Sequence, residues 1–230
     1  MAQASSAPAT RTRKLNKDEL VVLAVTLMEE AGASSFSLRK LGERVGCDPM
    51  AVLYHFKSKE GLLRGMADYL TGRILAVDPS LPWTERLYEL AQQYRELALK
   101  HPQTFQQMQR FLNTGKADYV VLEQVYQALR DGGLSDAEIP AACVGWYAAL
   151  YGLIQGELGG LIRPVTQEEL HELEQWPTDD VPMLRQILPR FVNLQSEQVF
   201  KMMMELIHDG LIAHAGKAAT PSRINHPQIT

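Results

Sequence analysis

The chain has 230 residues, 46% hydrophobic and 22% charged, a balance that indicates an ordinary globular protein with room for two domains. A net charge of −4 argues against a surface that is basic throughout, and two cysteines far apart in sequence exclude a disulfide framework or a zinc-finger spacing. The uncharged stretch 139–156 is rich in alanine, glycine and tyrosine, so it predicts a buried helix rather than a membrane span. No apolar signal core begins the chain, and we expect a cytoplasmic protein.

The charge is divided unevenly along the chain. Residues 1–73 hold 11 lysines and arginines against 8 acidic residues, whereas residues 74–230 hold 12 against 19. A mildly basic front on an acidic body fits a DNA-binding head joined to a body that does not bind DNA. A chance distribution of charges along the chain would give a difference of the same size. The charge alone therefore does not identify a DNA-binding head, and the sequence motifs are needed as well.

The chain begins with a tail and a first helix. Residues 1–14 are mostly small and polar and predict a disordered tail. Asn16 is suited to cap a helix that Gly32 ends, and Leu20 and Leu27 belong to its apolar stripe. This stripe predicts packing against the pair of helices that follows.

Residues 36–63 predict two short helices joined by a tight turn, followed by the start of a third. Gly46 is suited to end the first helix in the left-handed conformation. Asp48 is suited to cap the second helix, with Pro49 at its first position, where the missing N–H loses no hydrogen bond. Two helices across a glycine turn form a helix-turn-helix, whose second helix can enter a DNA major groove.

The sequences FSLRKLGERVG and YHFKSKEGLL in this segment resemble the DNA-binding motif of the tetracycline-repressor (TetR) family of transcriptional regulators. Leu53 stands where the family usually has a tyrosine, and Tyr54 follows it. More weakly, VGWYAALYGLIQGEL and FKMMMELIHDGLIAH resemble the ligand-binding body of the tetracycline-repressor branch. The resemblance implies an all-α protein with a three-helix helix-turn-helix head and a helical body for effector binding and dimerisation.

A DNA-binding head needs cations near phosphates and short side chains near base edges. Arg39 precedes the turn, and Lys59 lies at a helix start whose free N–H groups also suit a phosphate. Each charge is also consistent with an ordinary solvated surface, but their clustering around one helix-turn-helix favours DNA contact. With the groove-facing positions that the resemblance implies, the candidate DNA-binding residues are Arg39, Pro49, Met50, Ala51, Tyr54, His55, Lys57 and Lys59.

From Trp83 onward the sequence predicts helices only. The sequence Asp-Pro-Ser-Leu-Pro at 78–82 ends a helix predicted over 59–76 and divides the chain. We therefore expect four parts: a tail at 1–14, a head with its connecting helix at 15–76, a body at 82–214 and a loose tail at 215–230.

A single recognition helix contacts only a few base pairs, so such a head works as a two-fold dimer on a palindromic site. Small residues at helical spacing within 135–159 and an apolar stripe on the last helix predict a four-helix dimer interface, which the resemblance also implies. The alternative is that both stripes belong to the core of one subunit. The candidate interface residues are Gly145, Ala149, Gly152, Gly156, Phe200, Met203, Met204, Ile207 and Leu211.

Amphipathic aromatic side chains, among them Tyr94, are unusually frequent in the middle helices. Trp, Tyr and Met around a cavity suit a flat or greasy small molecule, although at helical spacing each one is also a plain core residue. His101 and Phe105, four residues apart, form the strongest pair. The candidate effector-pocket residues are His101, Phe105, Met108, Tyr126, Trp146, Tyr147 and Tyr151.

The rival from another class is a di-iron enzyme. Glu168-x-x-His171 and Glu205-x-x-His208 have the spacing that a di-iron helical bundle needs, with Glu157 as a further candidate ligand. The first pair lies in an acidic segment that predicts exposure, and this function leaves the head unexplained.

The sequence therefore predicts a ligand-responsive DNA-binding transcriptional regulator, a repressor that binds a palindromic operator as a homodimer and is released by a small-molecule effector. No catalytic residue, cofactor, metal or membrane partner is predicted.

Overall fold

The computed structural model describes residues 16–111, 113–177 and 180–218, and every regular element in these ranges is helical, so the all-α prediction is confirmed. The tail predicted at 1–14 lies outside the described residues. None of the described helices combines the length and the apolar character that crossing a bilayer requires. The α-helices of the described ranges are α1 (Lys17–Ala31), α2 (Leu38–Val45), α3 (Pro49–Phe56), α4 (Lys59–Thr71), α5 (Trp83–Lys100), α6 (Pro102–Met108), α7 (Lys116–Asp131), α8 (Ile139–Leu158), α9 (Gln167–Glu174), α10 (Pro182–Ile187) and α11 (Ser196–Ala218). A 3₁₀ helix at Leu188–Asn193 lies between α10 and α11.

Local capping explains where the first helices begin and end. The Asn16 side chain accepts the N–H of Glu19 at 2.8 Å, and the Glu19 carboxylate accepts the N–H of Asn16 in return. Gly46 ends α2 with φ 69° and ψ 34°, in the left-handed region that favours glycine. Asp48 then caps α3 by accepting the N–H of Met50 at 2.7 Å.

The fourth helix is shorter than the sequence predicts. It ends at Thr71 rather than near residue 76, because the N–H groups of Arg73 and Ile74 bond carbonyls three residues back in a tight turn. The next N–H, of Leu75, donates to the Gln93 side chain at 2.6 Å instead of to the helix. At the other end of the chain, α11 continues to Ala218, past the predicted start of the loose tail at 215.

The chain divides into two compact units that do not follow the predicted boundaries. The first holds the described residues up to Ile74 together with Lys100–Val120, and the second holds Leu75–Leu99 and the described residues from Val121 onward. Thus α6 and the start of α7 belong with α1 to α4, although the sequence places them in the body. Their contacts come from residues far earlier in the chain, which local sequence patterns do not reveal.

In the first unit, two carboxylates hold α6 and the start of α7. Glu29 in α1 accepts the N–H groups of Gln103 and Thr104 at 3.0 and 2.9 Å, capping α6. Asp68 in α4 accepts the N–H of Ala117 at 3.0 Å, at the start of α7. These bonds join helices about 50 to 75 positions apart and account for the extra members of this unit.

In the second unit, Arg95 joins three helices. From α5, its Nε and Nη2 donate to the Glu157 carboxylate of α8 at 2.7 and 2.8 Å, and its Nη1 pairs with Glu197 of α11. The guanidinium lies 5.1 Å from the centre of the Phe200 ring, and only 9% of the Arg95 side chain is exposed. The hydrogen bonds to Arg95 lower the pKa of Glu157 and raise the pKa of Arg95 itself.

Candidate nucleic-acid interface and ligand sites

Helix α3 has one buried and one exposed side. Val52 and Phe56 are 0% and 6% exposed and anchor the helix in the first unit. On the other side, Met50 is 67% exposed and Tyr54 86% exposed. The Met50 and Tyr54 side chains therefore expose apolar surface to water, which is typical of a side of a helix that binds another molecule. The remaining α3 candidates are Pro49, which is half-buried, and Ala51 and His55, which are exposed.

Two glycines let the chain pass closely around α3. A Cβ at Gly42 in α2 would lie 2.7 Å from the Cys47 carbonyl oxygen, and a Cβ at Gly61 in α4 would lie 2.1 Å from that of Phe56. Neither distance is compatible with a side chain, so these glycines set how closely α2 and α4 approach the ends of α3. Sequence analysis missed both, although glycine inside a helix costs about 1 kcal/mol and is a signal of close packing.

Lys57 follows α3 with an unusual backbone. Its φ is 65° and its ψ −31°, and among the described residues it alone combines a side chain with a positive φ. Its N–H donates to the Leu53 carbonyl at 2.6 Å, which closes the last turn of α3. Such a conformation costs on the order of 1–3 kcal/mol, and it aims the chain at Ser58, the cap of α4.

The candidate cations surround α3 on neighbouring elements. Exposed Arg39 on α2 lies 3.7 Å from Glu43 one turn on, a surface pair of small energetic value. The Lys59 ammonium donates to the Phe36 carbonyl at 3.4 Å and lies 5.9 Å from the centre of the Phe36 ring. Sequence analysis missed Lys17, whose ammonium lies 5.5 Å from the centre of the Phe56 ring at the end of α3. The predicted cations thus lie on α2, at the start of α4 and in the turn between α3 and α4, and their contact with DNA stays a prediction.

An aromatic cluster forms in the second unit. Tyr94 of α5 packs edge-on against Tyr147 and Tyr151 of α8, with ring centres 5.6 and 6.0 Å apart, and the Tyr94 and Tyr147 hydroxyls are 3.3 Å apart. Trp146 adds a fourth ring, 4.9 Å from that of Tyr147. Trp146 is 1% exposed, and its buried Nε1 donor has no partner within the described protein. An unmade buried hydrogen bond costs about 1–3 kcal/mol, so this cluster suits a molecule that brings an acceptor.

The other effector candidates lie elsewhere. His101, Phe105 and Met108 belong to the first unit, where Phe105 and Met108 are 0% and 2% exposed. The buried Nδ1 of His101 has no partner among the described residues, and burial lowers the pKa of His101. Tyr126 is 41% exposed in the second unit. The candidate pocket set is therefore divided between two compact units.

The candidate dimer residues divide between the core and the surface of the second unit. Phe200 and Met204 are 2% and 0% exposed, so they face the chain's own core and leave no surface for a partner, which corrects their assignment to an interface. An apolar stripe predicts that a face is buried but not what covers it. Gly145 and Gly152 differ, because a Cβ at either position would meet no atom within 4 Å. Met203 is 37% exposed, and the half-buried candidates are Ala149, Gly156, Ile207 and Leu211.

Helix α11 has three distinct sides. Phe200 and Met204 form the core side, and a second side exposes Met202 and Leu206 by 63% and 57%. On α8, Val144 is likewise 59% exposed. The third side is polar and lines a groove beside α5, with Glu197, Lys201, Glu205, His208 and Asp209.

The residues proposed for a di-iron centre have other partners or surroundings. Glu157 is bound to Arg95, and His171 Nδ1 lies 3.1 Å from Glu174 on exposed α9. Buried His208 belongs to the core end of the polar groove. Throughout the described ranges, no three His, Cys, Asp or Glu side chains form a group able to hold a metal ion.

Two family models together match most of the chain. Residues 20–66 match "Bacterial regulatory proteins, tetR family", and residues 78–215 match "Tetracyclin repressor-like, C-terminal domain". A curated HTH-type transcriptional regulator from Saccharopolyspora erythraea is 27% identical over 135 residues, and this match spans 58% of the chain but only 57% of that relative.

Solved structures show the same fold. Apo ActR from Streptomyces coelicolor matches with a TM-score of 0.79 at 22% identity, covering 89% of this chain and 98% of that one. ActR in complex with actinorhodin matches with a TM-score of 0.76 at 21% identity, covering 88% and 99%. BioQ, a protein of Mycobacterium smegmatis, matches in its complex with a double-stranded DNA operator, with a TM-score of 0.60 at 23% identity, covering 87% and 100%.

Proposed function

The chain belongs to the TetR family of transcriptional regulators, and from this membership we propose that it is a repressor that binds a palindromic operator as a homodimer and leaves it when a small molecule binds. The observation that carries the proposal is the exposed side of α3. Met50 and Tyr54 stand out from a helix that Val52 holds in place, and cations surround it on both neighbouring helices. The operator complex of BioQ, a protein of the same fold, supports this role for the head.

The second copy of the chain supplies the other half of the proposed DNA contact. Helix α8 exposes Val144 beside the open positions Gly145 and Gly152, and α11 exposes Met202 and Leu206. Small residues on one helix allow a close approach by another, and exposed large apolar residues favour burial against a partner. The proposed interface therefore uses the exposed side of α11 rather than the core side that holds Phe200.

The proposed effector site is the aromatic cluster of Tyr94, Trp146, Tyr147 and Tyr151. The four aromatic rings favour a flat apolar molecule, and the unpartnered Trp146 Nε1 favours one with a hydrogen-bond acceptor. Actinorhodin bound to ActR gives one example of a ligand in a protein of this fold.

We propose that effector binding is coupled to DNA binding through α7 and α4. Helix α7 starts in the first unit and ends in the second, and its start is bonded to Asp68 of α4. A ligand that prefers one arrangement of the body helices would favour one position of α4, and with it one separation of the two α3 helices. Operator fit would then differ between the free and the ligand-bound states.

Fluorescence anisotropy with duplexes from the region upstream of the chain's own gene tests this proposal. We expect tight, salt-dependent binding to an inverted repeat. Arg39→Ala or Lys59→Ala should weaken binding to every sequence and lower the salt slope by about 1 each, whereas Met50→Ala should change sequence preference. Lys100→Ala, which removes an exposed cation outside α2 to α4, is the matched control.

Two results would overturn the proposal. One is a lone monomer in sedimentation experiments that shows no preference for any inverted repeat at low salt. The other is an effector that relieves repression in cells but leaves the affinity of the purified protein for its operator unaltered.

A further inference from the structure

A groove of about 640 Å³ lies between α5 and α11 in the second unit and includes no residue of the aromatic cluster. This volume is within the range of roughly 300–1,000 Å³ that small-molecule sites occupy. The lining of this groove differs in chemistry from the aromatic cluster, so the groove suits a different class of ligand.

The lining is strongly acidic. Five carboxylates and one ammonium group line the groove. Glu197 is paired with Arg95, and the Glu205 carboxylate lies 4.0 Å from the Lys201 ammonium, so the remaining carboxylates of the groove are those of Glu85, Glu89 and Asp209. Glu85 and Glu89 lie one turn apart on α5, and both are exposed. Asp209 adds a further carboxylate from α11. Carboxylates on both walls favour a ligand that is positively charged.

A buried histidine provides a second and independent observation. His208 lines the groove but is only 6% exposed, and its Nε2 has no hydrogen-bond partner within the described protein. Burial lowers the pKa of His208 to about 4, so the ring is neutral near pH 7. A neutral imidazole that carries its proton on Nδ1 accepts a hydrogen bond at Nε2 from an N–H donor.

The arrangement suits an organic cation better than a metal ion. The carboxylates are spread along two helices, and the described residues contain no group of three or more His, Cys, Asp or Glu that could hold a metal. Tyr88 and Ile212 place an aromatic ring and an apolar side chain in the same groove. An aromatic face and apolar surface next to carboxylates favour a charged nitrogen joined to an apolar body.

We propose that the groove between α5 and α11 is a binding site for an organic cation, a primary ammonium joined to a small apolar or aromatic body. The carboxylates of Glu85, Glu89 and Asp209 attract the ammonium, His208 Nε2 accepts one of its hydrogen bonds, and Tyr88 packs against the apolar part. The chain then has a site for a cation apart from the site proposed for the effector that releases DNA.

Isothermal titration of the full chain with phenethylammonium at low ionic strength tests this site, with 2-phenylethanol as the neutral molecule of the same size. We expect saturable binding of the ammonium and binding of the alcohol that is weaker by about tenfold or more. The double variant Glu85→Gln/Glu89→Gln keeps the shape of the groove and should lower its affinity for phenethylammonium by about tenfold. Glu168→Gln, which removes an exposed carboxylate on α9, is the matched control and should leave the affinity unchanged.

Proton NMR locates the bound cation. The ring resonance that is absent from the His208→Gln variant should shift as phenethylammonium is added to the unsubstituted chain. Three results would each overturn the proposal: no saturable binding up to about 10 mM ligand, equal affinity for the alcohol, or an affinity that the Glu85→Gln/Glu89→Gln variant leaves unchanged. None of these measurements involves DNA, so their outcome is independent of the proposed repressor function.

Discussion

The carboxylate of Glu29, in the last turns of α1, accepts the backbone N–H of Gln103 at 3.0 Å in the first turn of α6. The same side chain accepts the next N–H at 2.9 Å, so one residue of the DNA-binding unit satisfies two otherwise free donors of a distant helix. His101, which precedes α6, makes no side-chain capping bond, and Glu29 takes that role.

Removal of this cap should destabilise the first unit. Glu29→Ala leaves two N–H groups without their acceptor, and we expect a loss of about 1–2 kcal/mol in the free energy of unfolding. Urea denaturation followed by circular dichroism measures it. Glu96→Ala removes an exposed glutamate from α5 and should change stability by less than about 0.5 kcal/mol. Equal effects of the two substitutions would show that the cap is unimportant.

Any side chain at Gly61 should disturb the junction of α3 and α4. In Gly61→Ala the new Cβ would meet the Phe56 carbonyl oxygen, a backbone atom, at 2.1 Å, so the two helices must move apart. We expect a loss of about 2–3 kcal/mol, typical of overpacking, and weaker DNA binding because α3 is displaced. At Gly216 the Cβ would meet no atom within 4 Å, and Gly216→Ala should preserve or slightly raise stability. Thermal melts of both variants compare the sites, and a Gly61→Ala melt like that of the unsubstituted chain would contradict the clash.

Lys57 allows backbone strain and charge to be separated. Lys57→Gly and Lys57→Ala both remove the cation, but only glycine adopts φ 65° without a Cβ penalty. The glycine variant should therefore be more stable than the alanine variant by about 1 kcal/mol, while both lose the same amount of DNA affinity. Denaturation and anisotropy measured on the same samples distinguish the two effects. A glycine variant less stable than the alanine variant would argue against a positive φ at this position.

The Arg95–Glu157 pair should make stability depend on pH. Glu157→Gln leaves a buried guanidinium with a weaker partner, and the loss should be roughly 2–4 kcal/mol at pH 7. Arg95 lowers the folded-state pKa of Glu157, so the pair stabilises the folded chain above the unfolded pKa of about 4.3 and this contribution is lost as pH falls through the folded value. The difference between the original chain and the variant should therefore shrink below about pH 4. Unfolding measured at pH 7 and in steps below pH 4.5 tests the sign, and a difference that grows on acidification would refute it.

A charge on the exposed side of α11 should prevent dimerisation. Leu206 is 57% exposed in the single chain, so Leu206→Glu should leave the subunit folded but place a carboxylate in the proposed interface. Sedimentation equilibrium should then show monomers, and operator affinity should fall by about a hundredfold because one head alone contacts the DNA. Lys201→Glu, a change on the polar side of the same helix, is the control that should stay dimeric. Dimers of Leu206→Glu with unchanged affinity would remove this side of α11 from the proposed interface.

The local sequence predicted the boundaries of α1 to α3 but not the contacts between distant helices. Asn16, Asp48 and Gly46 act within a few positions of themselves, so their residue types predict where helices begin and end. Ser135 shows the limit of this logic. A serine followed three positions later by a glutamate favours a helix start at the serine, but α8 begins four positions later at Ile139. The N–H and the hydroxyl of Ser135 both donate to the Glu138 carboxylate, at 2.9 and 2.5 Å.

Long-range partners decided the remaining differences. Nothing near α6 in the sequence indicates that Glu29 will cap it, so the sequence does not predict that α6 belongs to the same compact unit as α1. On α11, the apolar stripe that includes Phe200 has the spacing of any buried face, whether a neighbouring helix or a second subunit covers it. The candidate DNA-binding residues stay predictions, and the aromatic cluster holds three of the seven candidate pocket residues, Trp146, Tyr147 and Tyr151.

The three sides of α11 restrict how this helix can change over evolutionary time. Each inserted or deleted residue turns everything after it by about 100° around the helix axis. An insertion before Met204 would bring Leu206 toward the core and carry Met204 out of it. Individual residues on the exposed and polar sides can drift while the helix keeps its length. Homologues should therefore differ in α11 by substitution and place their insertions in the connections on either side of it.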